Sequence, residues 1–279
     1  MPKVDQDLED RLVALVRETA RLDILPHFRS LPAASIETKT NENDLVTIAD
    51  KASERRLTEA LAGILPSALV VGEEAASADP GLLDLLGGAD LAVIVDPVDG
   101  TWNFARGLPL FGIILSVVQG GRTVLGLHYD PITDAWLAAR AGQGAFHCTP
   151  DGARRRLSID PEARGTNGFV PIFLFPKRLR SRVGPLLERY DRIMSFRCSC
   201  HEYWLLAEGH VDFSLSGTPK PWDHAAGELI YREAGGYAAM LADGQPYSAA
   251  LQTGYLLAAR SRQQWEALRE DFLFLHSPS

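Results

Sequence analysis

Residues 91–104 read LAVIVDPVDGTWNF. The first five form a short apolar run of the kind that makes a buried strand, yet the run delivers two carboxylates, Asp96 and Asp99, into a turn with no basic residue before Arg106. Two anions this close repel each other, so the stretch calls for a cation that its neighbours do not supply. Pro97 holds Asp96 extended, because the residue before proline avoids the α region. Gly100 then carries the chain round, and Thr101 and Trp102 open a helix whose first backbone N–H groups suit a phosphate. An Asp-Pro-x-Asp-Gly sequence is also an ordinary surface turn, and the stretch alone does not separate the two readings. It is not an EF-hand loop, since the carboxylates are three apart and Gly107 occupies the position where that loop needs glutamate. Phosphatases that attack with an aspartate use carboxylates two apart, a pattern this turn also lacks.

The 279 residues are 46% hydrophobic and 23% charged, an ordinary balance for a globular chain with a sizeable core. A formal net charge of −8 argues against nucleic acid or an anionic membrane as the main partner, since those surfaces are held by clustered Lys and Arg. The basic run at residues 177–182 opens an amphipathic helix and reads as a solvated face. The start MPKVDQDLEDRLVALV is acidic and amphipathic where a secretory signal would need a basic patch followed by an apolar stretch, so no leader is expected, and no span approaches the length of a transmembrane helix. Cys148, Cys198 and Cys200 are odd in number, and Cys-x-Cys alone is too few ligands for zinc. Reduced thiols in a bacterial-type cytoplasm are the expectation.

Periodicity predicts helices over residues 6–22 and 48–65, with the polar, turn-rich SIETKTNENDLVT between them as a mobile loop. Strands are expected at 68–72, 91–95, 112–119, 123–129 and 135–139, a meander more than a βαβ alternation. Beyond a soft boundary near residue 150, a strand at 169–175 and a helix at 176–189 come first. Helices at 201–209, 222–234 and 262–272 then alternate with strands at 211–215, 237–241 and 254–259. Residues 1–150 and 151–279 are therefore read as two subdomains.

Two further segments carry acidic residues. In VVGEEAA, Glu73 and Glu74 end a short apolar strand, a pattern that by itself is only a charged turn. In PWDHAAGELIYREAGG, Trp222, Ala225, Ala226, Leu229 and Ile230 recur at helical spacing, and Asp223 falls in the first turn, where complementing the helix dipole is the plain role. His224 reads as a surface or packing neighbour.

Taken together, GEE at 72–74, DPVDGTWNF at 96–104 and WDHAAGELIYREAGG at 222–236, supported by DLVTIAD at 44–50, resemble in order and spacing the signatures of the inositol monophosphatase family. The resemblance spans nearly the whole chain. It implies an α/β layered fold, the α-β-α-β-α sandwich of the sugar-phosphatase type. The first subdomain would carry most of a metal site and the second would contribute Asp223 and the substrate wall. It further implies that Glu73, Asp96, Asp99, Asp223 and the carbonyl of Val98 resemble the ligands of two to three Mg²⁺ ions. Thr101, with Glu73 and Asp50, would activate water; Lys39, five residues before Asp44, would lie near the water or metal; and the backbone of Gly100 and Thr101, with Asp223 and Ser216, would face substrate. Carboxylates without His or Cys independently favour Mg²⁺ over zinc. The family is lithium-sensitive and its members are commonly homodimers, so a cytoplasmic homodimer is expected.

The substrate side departs from the inositol-specific pattern. Seven residues before Asp223 stands Ser216 instead of a ring-binding glutamate, and RCSCHEYW at 197–204 replaces a small Gly-Thr-Ala type stretch. The expected activity is a Mg²⁺-dependent phosphomonoesterase acting on a small polar ester by metal-activated water. Histidinol-phosphate, fructose-1,6-bisphosphate and 3',5'-bisphosphonucleotide phosphatases are alternatives, as is a non-enzymatic partner of the transcription machinery. Lys220, His201 and Glu202 either border the leaving group or are merely solvated and helical.

Overall fold

The computed structural model describes residues 3–32, 36–39 and 45–276. The chain enters through helix α1 (Gln6–Thr19), a short antiparallel pair, β1 (Ile36–Thr38) and β2 (Leu45–Thr47), and helix α2 (Ile48–Ile64). Strand β3 (Leu69–Gly72) is followed by short helices α3 (Glu73–Ala78) and α4 (Gly81–Leu86), then by strand β4 (Leu91–Asp99) and helix α5 (Thr101–Ala105). Strands β5 (Gly112–Gln119), β6 (Arg122–Asp130), β7 (Ala135–Arg140), β8 (Gly144–Cys148) and β9 (Arg154–Arg156) complete a seven-stranded sheet in sequence order. Only β3 and β4 pair in parallel within it; the rest is an antiparallel meander.

The remaining elements are β10 (Asn167–Phe169), α6 (Lys177–Leu187), β11 (Arg192–Met194), α7 (Ser199–Ala207), β12 (Phe213–Leu215), α8 (Pro221–Glu233), β13 (Tyr237–Met240), β14 (Leu256–Ala259) and α9 (Arg262–Phe272). Their strands form a five-stranded sheet of order β11-β10-β12-β14-β13.

Side-chain alternation turns these elements into layers. Along β4, Leu91, Val93 and Val95 pack with Leu12 and Val16 of α1 and Leu57 and Leu61 of α2. The intervening Ala92 and Ile94 pack with Trp222 and Ala225 of α8. Along β14, Leu256 and Ala258 join Tyr203, Leu206 and Leu229 of α7 and α8, whereas Leu257 and Ala259 join Trp265 and Phe272 of α9 and Val183 of α6. The architecture is thus α1/α2, the larger sheet, α7/α8, the smaller sheet, and α6/α9, an α-β-α-β-α sandwich. Among the described residues, no helix is long and apolar enough to cross a membrane.

Several expectations need correction. The polar loop over 35–47 is partly a β-hairpin, with Leu45 and Val46 buried; Ser35, residues 40–43 and Asp44 lie outside the described residues. Strand β4 does not stop at Val95 but runs to Asp99, with its register irregular between Asp96 and Asp99. That break sits where Pro97 has no N–H to give the ladder. The strand expected at 169–175 ends at Phe169, because Pro171 leads into a 3₁₀ turn over Ile172–Leu174. Strands β8, β9 and β11 are additional.

Candidate active site

Strand parity sends Asp96 to the same face as Ala92 and Ile94, towards the first turn of α8. There it meets Asp99, from the end of β4, and Asp223. One carboxylate oxygen from each lies within 4.8 Å of the other two. Asp96 and Asp99 are 2% and 5% exposed. Burial, reinforced by the charges of Glu73, Asp99 and Asp223, pushes Asp96 well above the usual carboxylate range. Burial and Asp223 push Asp99 up to about 8. Asp223 is raised to about 6 by burial, against the opposing charge of Lys220. Buried carboxyls this close together ionise more readily beside added positive charge.

Asp99 is oriented from below: its Oδ2 accepts the Cys200 N–H at 2.5 Å and the Cys198 thiol at 3.1 Å. All three cysteines are free, buried thiols.

A second acidic group comes from the start of α3. Lys39 Nζ donates to Glu73 at 3.0 Å and to Glu74 at 2.6 Å. Burial and the neighbouring Glu73 raise Glu74 to about 7. This end of α3 is fastened by Glu54 of α2, whose carboxylate accepts the N–H groups of Glu74 and Ala75, both at 2.8 Å. A Cβ on Gly72 would come within 2.2 Å of that carboxylate carbon, so glycine leaves the room Glu54 occupies.

Asp50, one turn earlier on α2, is fully buried. It accepts the Thr47 N–H at 2.8 Å and the Thr47 hydroxyl at 2.5 Å, closing a capping box at the helix start. Its other oxygen lies 3.0 Å from the Thr101 hydroxyl, which is also 3.0 Å from the Val98 carbonyl and donates to one of them at a time. Burial raises Asp50 to about 6 although the Thr47 bonds oppose it. Gly100, at φ +88°, makes the turn between β4 and α5 that places Thr101 here.

Two joined cavities open on this cluster. A smaller one of about 180 Å³ is lined by Glu73, Asp96, Asp99, Gly100, Thr101, Trp102 and Asp223, among others. A larger one of about 770 Å³ extends over α7 and the smaller sheet, and shares Asp99, Asp223, Arg197 and Lys220 with the first.

The fold therefore gathers Glu73, Asp96, Asp99, Gly100, Thr101 and Asp223 round one cavity, with Asp50, Val98 and Lys39 supporting them. Ser216 lines the larger cavity, but its hydroxyl accepts the Leu256 N–H at 3.1 Å. His201 borders neither cavity: its ring is hydrogen-bonded to the Phe111 carbonyl at 3.2 Å and stacked near Trp204. Its neighbour Glu202 does line the larger one, since successive helical side chains point about 100° apart. Burial raises Glu202 to about 7 although it accepts the Phe196 N–H at 2.7 Å. His224 is a buried packing residue, bonded to the Tyr203 hydroxyl at 3.0 Å and the Thr218 carbonyl at 2.9 Å. The basic run is not simply a solvated face: Arg180 binds the Phe173 and Phe175 carbonyls and lines the larger cavity. Sequence reasoning passed over Glu54, whose place one helical turn after Asp50 was a usable signal, and Arg197, for which there was none.

Comparison with known proteins agrees with this geometry. The sequence profile of the inositol monophosphatase family matches residues 5–274. A fructose-1,6-bisphosphatase/inositol-1-monophosphatase of Thermotoga maritima is 32% identical over 235 residues, covering 82% of this chain and 83% of its own. A protein of Pasteurella multocida named Nus factor SuhB is 31% identical over 238 residues, 84% of each chain. The solved structure of a Thermotoga maritima IMPase superposes with a TM-score of 0.76 at 25% identity, over 97% of this chain and 100% of that one. With the profile matched over nearly its whole length and the layered fold and motif order in agreement, the chain belongs to the inositol monophosphatase family.

Proposed function

We propose that this chain is a Mg²⁺-dependent phosphomonoesterase hydrolysing a small polar phosphate ester with an activated water. The observation that carries the reading is the convergence of Asp96, Asp99 and Asp223 within 4.8 Å, beside the Thr101–Asp50 pair. The donors are carboxylate oxygens held at raised pKa by burial, the chemistry of a hard divalent cation. Glu73, Asp96, Asp99, Asp223 and the Val98 carbonyl would hold two to three Mg²⁺. Bound there, the ions would lower the pKa of a water and neutralise charge on the phosphoryl group and leaving alkoxide.

The chain's own groups do the rest. Thr101, donating to Asp50, orients the attacking water, and Glu73 with Asp50 takes its proton. The backbone N–H groups of Gly100 and Thr101 hold phosphate oxygens, and Lys39 keeps Glu73 in register. The larger cavity receives the alcohol. Residues 1–150 would supply most of the metal site, and residues 151–279 would supply Asp223 and the wall. The name of the Pasteurella relative supports a second reading, a partner of the transcription machinery; the complete carboxylate set weighs against that as the sole role.

The test is phosphate release from inositol 1-phosphate, histidinol phosphate, fructose 1,6-bisphosphate, 3'-phosphoadenosine 5'-phosphate and glycerol 2-phosphate, with and without Mg²⁺. At least one ester should be cleaved only with Mg²⁺, and inositol 1-phosphate should not lead by tenfold, since Ser216 supplies no carboxylate for ring hydroxyls. No Mg²⁺-dependent release from any ester would refute the reading.

A further inference from the structure

At the seam of the two cavities stands Arg197, which lines both. Its backbone has φ +56°, a left-handed conformation that a long side chain adopts at a cost. The guanidinium carbon lies 4.3 Å from the centre of the Trp102 ring, and Arg106 lies 5.1 Å from that same ring. Trp102 itself lines the smaller cavity, directly after Thr101. The left-handed backbone and the ring together help place a cation at the seam of the two cavities.

Two further cations stand nearby: Lys220 lines both cavities, 5.4 Å over the Trp222 ring, and Arg180 lines the larger. The carboxylates of the larger cavity are Asp99 and Asp223, which belong to the acidic cluster, and Glu202, which accepts the Phe196 N–H. A guanidinium pairs in a fork with carboxylate or phosphate, a geometry a neutral polyol cannot match.

We propose that Arg197 is a specificity-determining residue that binds an anionic group on the alcohol part of the substrate, so that the preferred ester carries a second phosphate or a carboxylate. The proposal rests on the phosphatase reading above. The phosphoryl group undergoing transfer sits at the carboxylate cluster, and the second anion sits at the seam.

The test compares two esters of similar size, glycerate 2-phosphate with a carboxylate and glycerol 2-phosphate without one. In saturating Mg²⁺ the wild-type kcat/KM should favour the former by about tenfold or more, the scale of one charge-assisted contact. Arg197→Met keeps an unbranched stem over Trp102 without the charge and should bring the ratio within about threefold, mainly through KM. Arg197→Lys should keep part of it. A wild-type preference for the neutral ester, or an equal loss on both esters in Arg197→Met, overturns the proposal. Calorimetric binding of both compounds to wild type and Arg197→Met, in an Asp96→Asn background if turnover interferes, separates the two readings. If no ester is cleaved yet the anionic one binds about tenfold better and loses that advantage in Arg197→Met, the subsite stands and the phosphatase reading falls. Binding that does not discriminate overturns the subsite.

Discussion

Replacing Gly72 with alanine should dislodge Glu54 and loosen the start of α3. The new Cβ would lie 2.2 Å from Glu54 Cδ and 2.3 and 2.6 Å from its two oxygens, closer than such atoms pack. Glu54 must swing away and give up its 2.8 Å bonds to the Glu74 and Ala75 N–H groups. Hydrogen bonds to a charged group contribute about 1.5–3 kcal/mol each. Relief of Glu54 from burial returns part of that loss, leaving a net cost of about 2–4 kcal/mol, or a fall in Tm of about 3–7 °C at this chain length. Backbone strain is not the cause, because Gly72 has φ −98° and ψ 160°, open to any residue. The assay is thermal or urea unfolding of wild type, Gly72→Ala, Glu54→Ala and the double variant. If the clash is responsible, Gly72→Ala costs little once Glu54 is gone, and the cycle shows a coupling of about 2 kcal/mol. Additive losses, or wild-type stability in Gly72→Ala, would refute the reasoning. Glu73 is the next residue, so turnover should fall with stability in Gly72→Ala and track the position of α3.

In chelator, stability should fall as pH rises from about 5 to 8. Burial holds Asp99 at about 8, Glu74 and Glu202 at about 7, and Asp50 and Asp223 at about 6, so above the ordinary carboxylate range near 4 the folded chain binds more protons than the unfolded one and rising pH removes the advantage. Burial also lowers His128 to about 3 and His224 to about 4, which opposes this below about 6.5, but the raised carboxyls outnumber the two imidazoles. Unfolding scans in chelator should therefore show stability declining across that window, a decline that saturating Mg²⁺ flattens, and stability climbing from pH 5 to 8 in chelator would contradict this. Asp96→Asn and Asp223→Asn should each lower turnover by about 10²-fold or more while circular dichroism stays native. Near-normal rates at limiting Mg²⁺ in either variant would remove that residue from the ligand set.

What could be read from residues alone is short-range. The positions of Asp96, Asp99, Thr101 and Asp223 follow from a strand period of two, a proline, a glycine at positive φ and the first turn of an amphipathic helix, each settled within a few residues. Helices α2, α8 and α9 are legible for the same reason, since a sustained 3.6-residue apolar period survives any packing. The solvent-facing strand Arg154–Arg156 carries no alternation because all three residues are exposed, and it exists only as the partner of β8. His201 and Glu202 were indistinguishable in sequence, and their fates were decided by where α7 sits between the two sheets. Arg197 stacks on Trp102, a residue remote in sequence, and no local pattern encodes that encounter. It arises when the α7 layer closes against the larger sheet, which is why the clustered carboxylates could be named in advance from motifs and family resemblance and the cation at the seam of the cavities could not.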